Sequence, residues 1–335
     1  MAVTIKDVAK RAGVGIGTVS RVLNGGNSVR HSTREKVEDA IKELDYTPNL
    51  QARRLVTGKS LTVGVIAPFF TSQSVVERLR GIENVFAASD YDLIIYNIDN
   101  IERLNKYVKQ LSVEEKVDGL IVISRELDPS QIEKLELANI KVVILDAESS
   151  HLSSVTIDDV AGGYNATQHL INLGHKRIGM VADIFERQLG NDSSKDRFTG
   201  YKKALEENSL PYNPDLVLDL GLSRQDGYQM ASRLLRLPDR PTAIVAASDV
   251  LASGVLQAAR EMNINIPYDL SVIGYDDIEL AEFMNLTTIR QPLFDSGKSA
   301  AELLLAEMNN LEQEAQHTQL RTSVVIRGTT AVAPR

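Results

Sequence analysis

Polar side chains stand where several apolar runs of this chain end, and they are the residues best suited to bind a small molecule. Asp146 ends one run, Ser248 follows a second and Asp276 follows a third. Arg197 lies near the start of a polar helical segment between them. Carboxylate and guanidinium groups make charge-assisted hydrogen bonds with hydroxyl groups, so this set suits a polyol in a half-buried cleft.

Strand-end residues of this kind also have a structural interpretation. An Asp after a strand commonly caps the next helix, because its carboxylate accepts a hydrogen bond from a free backbone N–H group. We expect Asp249 and Asp277 to have this role. For Arg197 and Asp276, ligand contact and a purely structural role both stay open at this point.

Catalytic and metal-binding motifs are absent from the sequence. The five His residues have no spacing typical of metal ligands. Gly13, Gly15 and Gly17 superficially resemble a phosphate-binding loop, but they follow a helical segment and lack the G-x-G-x-x-G spacing. The sequence therefore predicts neither an enzymatic activity nor a metal or other cofactor.

The elements that position the polar residues begin at residue 61, where apolar runs alternate with amphipathic segments. The runs cover residues 61–67, 91–96, 119–123, 142–146, 178–182, 243–247 and 270–275. Helical segments lie near 75–89, 101–112, 159–173, 195–207, 224–236, 249–262 and 295–310. Continuous Val, Ile and Leu runs are typical of strands buried on both faces of a parallel sheet. The pattern predicts an α/β body with two doubly wound parallel-sheet lobes, whose ligands bind at the carboxyl ends of the strands.

Two short amphipathic segments joined by a glycine turn open the chain. Thr4 is a suitable N-cap for the first segment, with Asp7 in its first turn. Gly13 can take the positive φ that a tight turn needs. The outward positions of the second segment are Ile16, Gly17, Thr18, Ser20 and Arg21. This arrangement predicts an all-α helix-turn-helix head, whose second helix enters the major groove of DNA.

A third helical segment and a short proline-led segment follow this head. Ser32 and Glu35 are spaced as a capping box for the third helix. The next segment contains, in order, Pro48, Asn49, Ala52, Arg53 and Leu55. Together with the turn and the second helix, these features resemble the lactose-repressor (LacI/GalR) family of bacterial transcription regulators.

The resemblance implies which head residues contact DNA. Arg21 is expected to read bases, because Arg can bond bidentately to guanine. Ile16 and Gly17 stand at two positions that vary with specificity in the family. The missing side chain of Gly17 either lets other groups approach a base edge or has no role. Contacts to phosphates, or contacts that position the head, are expected from Thr4, Thr18, Ser20, Asn24, His31, Ser32 and Thr33.

Segment 49–55 is too short to form a stable helix by itself. The resemblance implies that it folds when two copies of the chain pair on DNA, with Asn49 among the contacts. Leu55 would insert into the minor groove as an apolar wedge, and Ala52 would pack against the partner copy. We therefore expect a homodimer on a two-fold-symmetric operator, controlled by an effector that changes the spacing of these segments.

The resemblance also implies a body of the periplasmic-binding-protein type 1 architecture. We expect a DNA-binding domain over 1–47, a hinge over 48–58 and an effector-binding, dimerising body over 59–335. The N-terminal lobe would cover about 60–158 and 291–322, and the C-terminal lobe about 159–290 and 323–335. The chain would thus cross between lobes three times.

Within the cleft, the resemblance implies that Arg197 and Asp276 bind the effector. Ser72 and Ser74 are further candidates, although relatives carry aromatic residues there and the Phe pair of this chain lies upstream. Leu222 stands near the place where some sugar-binding relatives have a Trp. A carbohydrate effector is therefore expected, without its identity.

The composition agrees with a DNA-binding head on an acidic body. The chain has 335 residues, no Cys and a formal net charge of −8. Residues 1–58 contain 10 Lys and Arg against 6 Asp and Glu, which leaves 27 against 39 for the rest. A basic head favours phosphate binding by the head alone, although this acidic balance is also ordinary for bacterial proteins.

The N-terminal sequence bears on the location of the protein. It has no secretory signal pattern, and no run approaches the ~20 apolar residues of a membrane span, so we expect a cytoplasmic protein. A solute-binding receptor without DNA function is the alternative, because the body alone would fit it. The head and the missing signal pattern argue against that alternative.

Overall fold

The computed structural model describes residues 3–23, 29–46, 60–114, 116–183, 192–310 and 314–334. The chain divides into two compact units, Met1–Ser60 and Leu61–Arg335. Among the described residues, no helix is long and apolar enough to cross a membrane.

The described residues of the first unit form three helices, α1 (Ile5–Ala12), α2 (Ile16–Leu23) and α3 (His31–Glu43). Thr4 caps α1 as expected, and its N–H and hydroxyl groups donate to the Asp7 carboxylate at 2.9 and 2.7 Å. Gly13 ends α1 with a φ of 68°. The buried side chains between the helices belong to Val8, Ala9, Val19, Val22, Val37 and Ala40. This small core fixes the angle between α1 and α2.

The expected capping box at the start of α3 is wrong. The helix begins at His31, and Arg30 occupies the N-cap position without a side-chain hydrogen bond. Ser32 and Thr33 therefore lie inside the first turn, two and three residues after the N-cap position. The backbone carbonyl of Arg30 accepts the N–H groups of Thr33 and Arg34 instead.

The second unit alternates strands and helices. In chain order its elements are β1 (Thr62–Pro68), α4 (Gln73–Phe86), β2 (Asp92–Ile98), α5 (Ile101–Glu114), β3 (Gly119–Ile123), α6 (Pro129–Leu137), β4 (Lys141–Leu145), β5 (Ser153–Ile157), α7 (Asp159–Asn172), β6 (Ile178–Ala182), α8 (Asp192–Glu207), a 3₁₀ turn (Pro214–Leu216), β7 (Val217–Asp219), α9 (Arg224–Leu235), β8 (Ala243–Ala246), α10 (Asp249–Glu261), β9 (Ser271–Asp276), α11 (Glu279–Phe283), β10 (Thr287–Arg290), α12 (Leu293–Asn309), β11 (His317–Leu320) and β12 (Ser323–Val325).

The described strands form two six-stranded sheets, and each sheet is the centre of one lobe. The N-terminal lobe has the strand order β11-β5-β4-β3-β1-β2, with every pair parallel. The C-terminal lobe has the order β12-β10-β9-β8-β6-β7, in which only β10 and β12 pair antiparallel. Helices cover both faces of such sheets, which explains why the central strands β1, β3, β6, β8 and β9 are fully buried.

Glycine contacts set the packing of the helices that carry the polar residues. In the C-terminal lobe, a Cβ atom on Gly163 of α7 would lie 2.1 Å from the Arg197 carbonyl of α8. A Cβ atom on Gly200 of α8 would lie 2.1 Å from the Val160 carbonyl of α7. Because both positions lack a side chain, the two helices approach closely and bring Arg197 against Asp159.

Candidate functional site: the recognition helix and the interlobe cleft

The head presents most of its expected DNA contacts to solvent. Ile16, Gly17 and Arg21 of α2 are exposed, while Thr18 and Ser20 are half-buried. Thr4, His31 and Ser32 are also exposed, and Thr33 is half-buried. Val19 and Val22 bury the opposite side of α2. Asn24, Asn49, Ala52 and Leu55 lie outside the described residues.

A cavity of about 110 Å³ lies in the second unit, at the carboxyl ends of strands from both sheets. Its wall includes every cleft residue expected from the sequence, namely Ser72, Ser74, Asp146, Arg197, Leu222, Ser248 and Asp276. The cleft position is the one where open α/β sheets bind ligands. The roles of these residues as ligand contacts stay predictions.

The C-terminal lobe contributes Arg197 to the wall, and this side chain is buried and held by several contacts. Its Nε donates to Asp159 at 2.7 Å, and its Nη1 donates to the Ala247 carbonyl at 2.5 Å. The guanidinium lies over the Tyr275 ring, 3.8 Å from the centroid. Burial alone would lower the pKa of Arg197, but Asp159, Tyr275 and Asp276 together outweigh burial and raise it. Arg197 therefore stays charged and fixed in place.

Asp276 faces Arg197 at the end of β9. Its Oδ1 lies 3.8 Å from Arg197 Nη1 and accepts a hydrogen bond from Gln291 Nε2 at 2.5 Å. Burial raises the pKa of Asp276 to about 6, against the opposing effect of Arg197. The carboxylate is thus a buried acceptor whose charge is only partly compensated.

The N-terminal lobe supplies a second charged pair that the sequence analysis missed. Arg78 Nη2 of α4 donates to Asp146 Oδ1 at 2.5 Å, and both side chains are buried. Ser124 donates to the other oxygen of Asp146 at 2.7 Å. Arg78 Nη2 also donates to Gln291 Oε1 at 3.2 Å. Gln291, just after β10, therefore connects the charged pair of one lobe to Asp276 of the other.

Comparisons with known proteins identify the family. Residues 4–49 match the model "Bacterial regulatory proteins, lacI family", and residues 167–330 match "Periplasmic binding protein-like domain". The chain is 36% identical to the HTH-type transcriptional regulator RegA of Clostridium saccharobutylicum, over 98% of this chain and all of RegA. The chain belongs to the lacI family of bacterial regulatory proteins.

Solved structures of lacI-family proteins have the same fold over most or nearly all of the chain. A lac repressor dimer bound to operator and the anti-inducer ONPF matches with a TM-score of 0.86 and 29% identity, over 99% of this chain and 100% of the other. A ribose-bound lacI-family regulator of Enterococcus faecium matches with a TM-score of 0.73 and 31% identity, over 81% and 99%. The protein is therefore a DNA-binding transcriptional regulator with a helix-turn-helix head and two parallel-sheet lobes.

Two capping predictions for this lacI-family protein are wrong. Ser248, not Asp249, caps α10, because its hydroxyl accepts the Leu251 N–H at 3.2 Å. Asp249 instead accepts from Ile278 N and from the Thr288 hydroxyl.

Asp277 does not cap α11 either. Its carboxylate pairs with Arg290 at 2.6 Å and with Arg327 at 2.7 Å. The N-cap position of α11 belongs to Ile278, which has no side-chain hydrogen bond to the helix.

An aromatic side chain still reaches the cleft of this family member despite the shifted Phe pair. Phe69 lines the cavity with 48% of its surface exposed, next to Ser72 and Ser74 at the start of α4. Ser72 occupies the N-cap position of α4 without using its side chain there. Its hydroxyl is therefore not committed to the helix.

Arg78 and Gln291 had signals that sequence reasoning passed over. Arg78 stands at helical spacing between Val75 and Ile82, on the apolar face of α4, where an unpaired charge would be costly. Gln291 directly follows a strand end, as the expected ligands do. Asp159 became meaningful only when the fold placed it beside Arg197.

Proposed function

We propose that this lacI-family regulator is a homodimeric repressor that binds a two-fold-symmetric operator and responds to a small sugar or sugar derivative. The observation behind this proposal is the combination of an exposed recognition helix with an interlobe cavity lined by paired charged groups. Paired guanidinium and carboxylate groups suit hydroxyl recognition, because one hydroxyl both donates to the carboxylate and accepts from the guanidinium. Of the similar solved structures, one contains ribose and another contains an operator. This supports a sugar and operator DNA as the ligands of the present protein.

In the proposed protein, the head covers 1–47, the hinge 48–58 and the effector-binding body 59–335. Arg21 reads a base from the major groove, with Ile16 and Gly17 beside it. The lobe boundaries fall where the chain leaves one sheet for the other, after β5, after β10 and between β11 and β12. The protein works in the cytoplasm, where its DNA is, and catalyses no reaction.

In the proposed cleft, Arg197 and Asp276 hold the effector from the C-terminal lobe. Leu222 and Ser248 lie on the same side, while Ser72, Ser74 and Asp146 contact the effector from the N-terminal lobe. Because both lobes contact one ligand, binding biases the angle between them. That angle sets the spacing of the two hinges in the dimer. A ligand shifts the equilibrium between two lobe arrangements only to the extent that it binds one of them more tightly than the other.

The experiment has two steps on the full-length protein. Bound sequences are first recovered from a pool of random duplex DNA, and a panel of sugars is then titrated into the protein–operator complex. We expect a pseudo-palindromic sequence and one class of sugar that changes operator affinity. Arg197→Lys should keep operator binding but weaken the sugar response about tenfold or more, since Lys lacks the planar guanidinium that is held by Asp159 and Ala247.

The matched control is Arg233→Lys, which changes an exposed Arg of α9 outside the cavity. This variant should behave as the wild type in both steps. Binding without sequence preference would contradict the regulator as proposed. Operator binding that no sugar alters would contradict the effector class alone.

A further inference from the structure

Five ionisable side chains meet beneath the interlobe cavity, and all are almost fully buried. Their side-chain exposures lie between 3 and 8%. They belong to Arg78 and Asp146 of the N-terminal lobe and to Asp159, Arg197 and Asp276 of the C-terminal lobe. Carboxylates therefore outnumber guanidinium groups by three to two in this cluster.

Each guanidinium in the cluster already has a carboxylate partner. Arg78 contacts Asp146 at 2.5 Å, and Arg197 contacts Asp159 at 2.7 Å. A buried guanidinium paired in this way offers N–H donors without an unmatched positive charge. Arg78 Nε has no hydrogen-bond partner among the described residues, so one buried donor remains for an acceptor oxygen.

The surroundings of the cluster are acidic as well. A neighbouring cavity of about 240 Å³ shares Ser124, Asp146 and Ser193 with the first one. Its described lining residues include Glu126 and Glu148 but neither Lys nor Arg. Burial raises the pKa of Asp276, which indicates that negative charge is already unfavourable at this place.

On the basis of the function proposed above, we propose that Arg78 and Asp146 form a second hydroxyl-binding pair and restrict the effector to uncharged sugars. A phosphate or carboxylate group in the cavity would lie near three buried carboxylates, and each Arg in the described lining already has a carboxylate partner. Like charges brought together in a site of low polarity are strongly unfavourable. A neutral hydroxyl instead uses both members of each pair and adds no charge.

The experiment is calorimetric titration of the full-length protein with matched neutral and anionic sugars. The probes are ribose with ribose 5-phosphate, and glucose with glucose 6-phosphate and gluconate. We expect a neutral member to bind and its anionic counterparts to bind at least about tenfold more weakly. Equal or tighter binding of an anionic member would overturn the inference, while the sugar-responsive regulator would stand. No binding by any probe would count against both.

Two variants test the residues themselves. Asp146→Asn leaves the charge of Arg78 unmatched, so the ratio of anionic to neutral affinity should rise about tenfold or more. Arg78→Met should weaken binding of the neutral sugar. Arg80→Met, which changes an exposed residue of the same helix, should leave that binding unchanged. A purely structural role for the pair would lower both affinities together and leave their ratio unchanged. That result would overturn the inference. If a variant does not fold, the titrations of the wild-type protein with neutral and anionic sugars decide whether the inference stands.

Discussion

Individual residues on the cavity wall carry strained backbone. Phe69, Ser124, Asp146 and Asp276 have φ values of 49°, 53°, 64° and 113°. Left-handed backbone costs on the order of 1–3 kcal/mol for a residue other than Gly, and it persists only where the surroundings hold it. All four follow or end strands, so the sheets and the buried charge pairs hold them. The strain aims their side chains into the cleft before any ligand arrives.

Gly17 offers a test of base reading at a single position. A Cβ atom there would have no heavy atom within 4 Å, so Gly17→Ala is free of steric conflict. Ala favours a helix over Gly by about 1 kcal/mol, so thermal unfolding of the head should shift upward. If other groups approach a base edge across the missing side chain, affinity for the selected operator should fall while binding to random DNA is unchanged. Unchanged operator affinity would mean that Gly17 has no role in recognition.

The residue-level predictions from sequence depended on strand ends. Six of the seven expected cleft residues line one cavity because they follow a strand or open a helix at the carboxyl edge of a sheet, while Arg197 lies in the second turn of α8. Arg78 was missed, because its position on the apolar face of α4 indicates that its charge needs a partner but not which residue that partner is. The partner, Asp146, lies 68 positions away. Pairings over such separations depend on tertiary structure.

Among elements, long apolar runs were predictable and short or exposed strands were not. β3 and β6 match the expected runs residue for residue. β5, β7, β10, β11 and β12 were missed, since they are three to five residues long and contain polar residues. Helix α6 was missed although Asp128 and Gln131 form its capping box. Such elements exist because a neighbouring strand or helix pairs with them, which local sequence does not reveal.

Asp249 connects three elements of the C-terminal lobe through hydrogen bonds. The protonation state of its carboxyl group should therefore affect the stability of this lobe. At the start of α10, its carboxyl accepts from the Thr288 hydroxyl of β10 at 2.6 Å and from Ile278 N at 3.0 Å. Burial, reinforced by the nearby Asp276 carboxylate, raises the pKa of Asp249 to about 8. The folded protein therefore holds this proton more tightly than the unfolded chain does. The contribution to stability is full below about pH 4 and is lost as pH rises through 8.

Asp249→Asn resembles the protonated carboxyl and should remove this dependence. Denaturant unfolding of the wild type between pH 5 and 9 should lose stability with a slope on the order of 1 kcal/mol per pH unit. The Asn variant should have a shallower slope and exceed the wild type in stability at pH 8.5. The control is Asp269→Asn, since burial is slight there and hydrogen bonds from Asn265 lower the pKa. Equal slopes in wild type and Asp249→Asn would refute the assignment.

On the scale of the whole molecule, the described polar contacts form one path across the second unit. The path runs from Asp146 through Arg78, Gln291 and Asp276 to Arg197. Gln291 follows β10, where the chain leaves the second sheet for α12, which packs against the first. A ligand that contacts either pair therefore acts directly on a point where the chain passes between the lobes.

The distribution of charge over the whole chain determines how salt should affect DNA binding. Lys and Arg exceed Asp and Glu by four in residues 1–58, while the rest carries an excess of twelve acidic residues. Phosphate contacts release counterions, and each one contributes about −0.9 to the slope of log K against log salt concentration. For a dimer with two basic heads, we expect a slope of about −4 or steeper for operator and random DNA alike. Titrations of full-length protein between 50 and 200 mM salt, read by fluorescence anisotropy, measure this slope.

Arg21→Ala separates base contacts from phosphate contacts in the same titration. Loss of a bidentate base contact should weaken the free energy of operator binding by about 1–3 kcal/mol. The affinity for random DNA and most of the salt slope should stay unchanged. Lys106→Gln, which removes an exposed charge from α5 of the acidic unit, should change neither quantity. A slope near zero for the wild type would mean that the acidic body cancels the attraction of the heads. DNA recognition would then depend on base contacts alone, contrary to the division of charge along the chain.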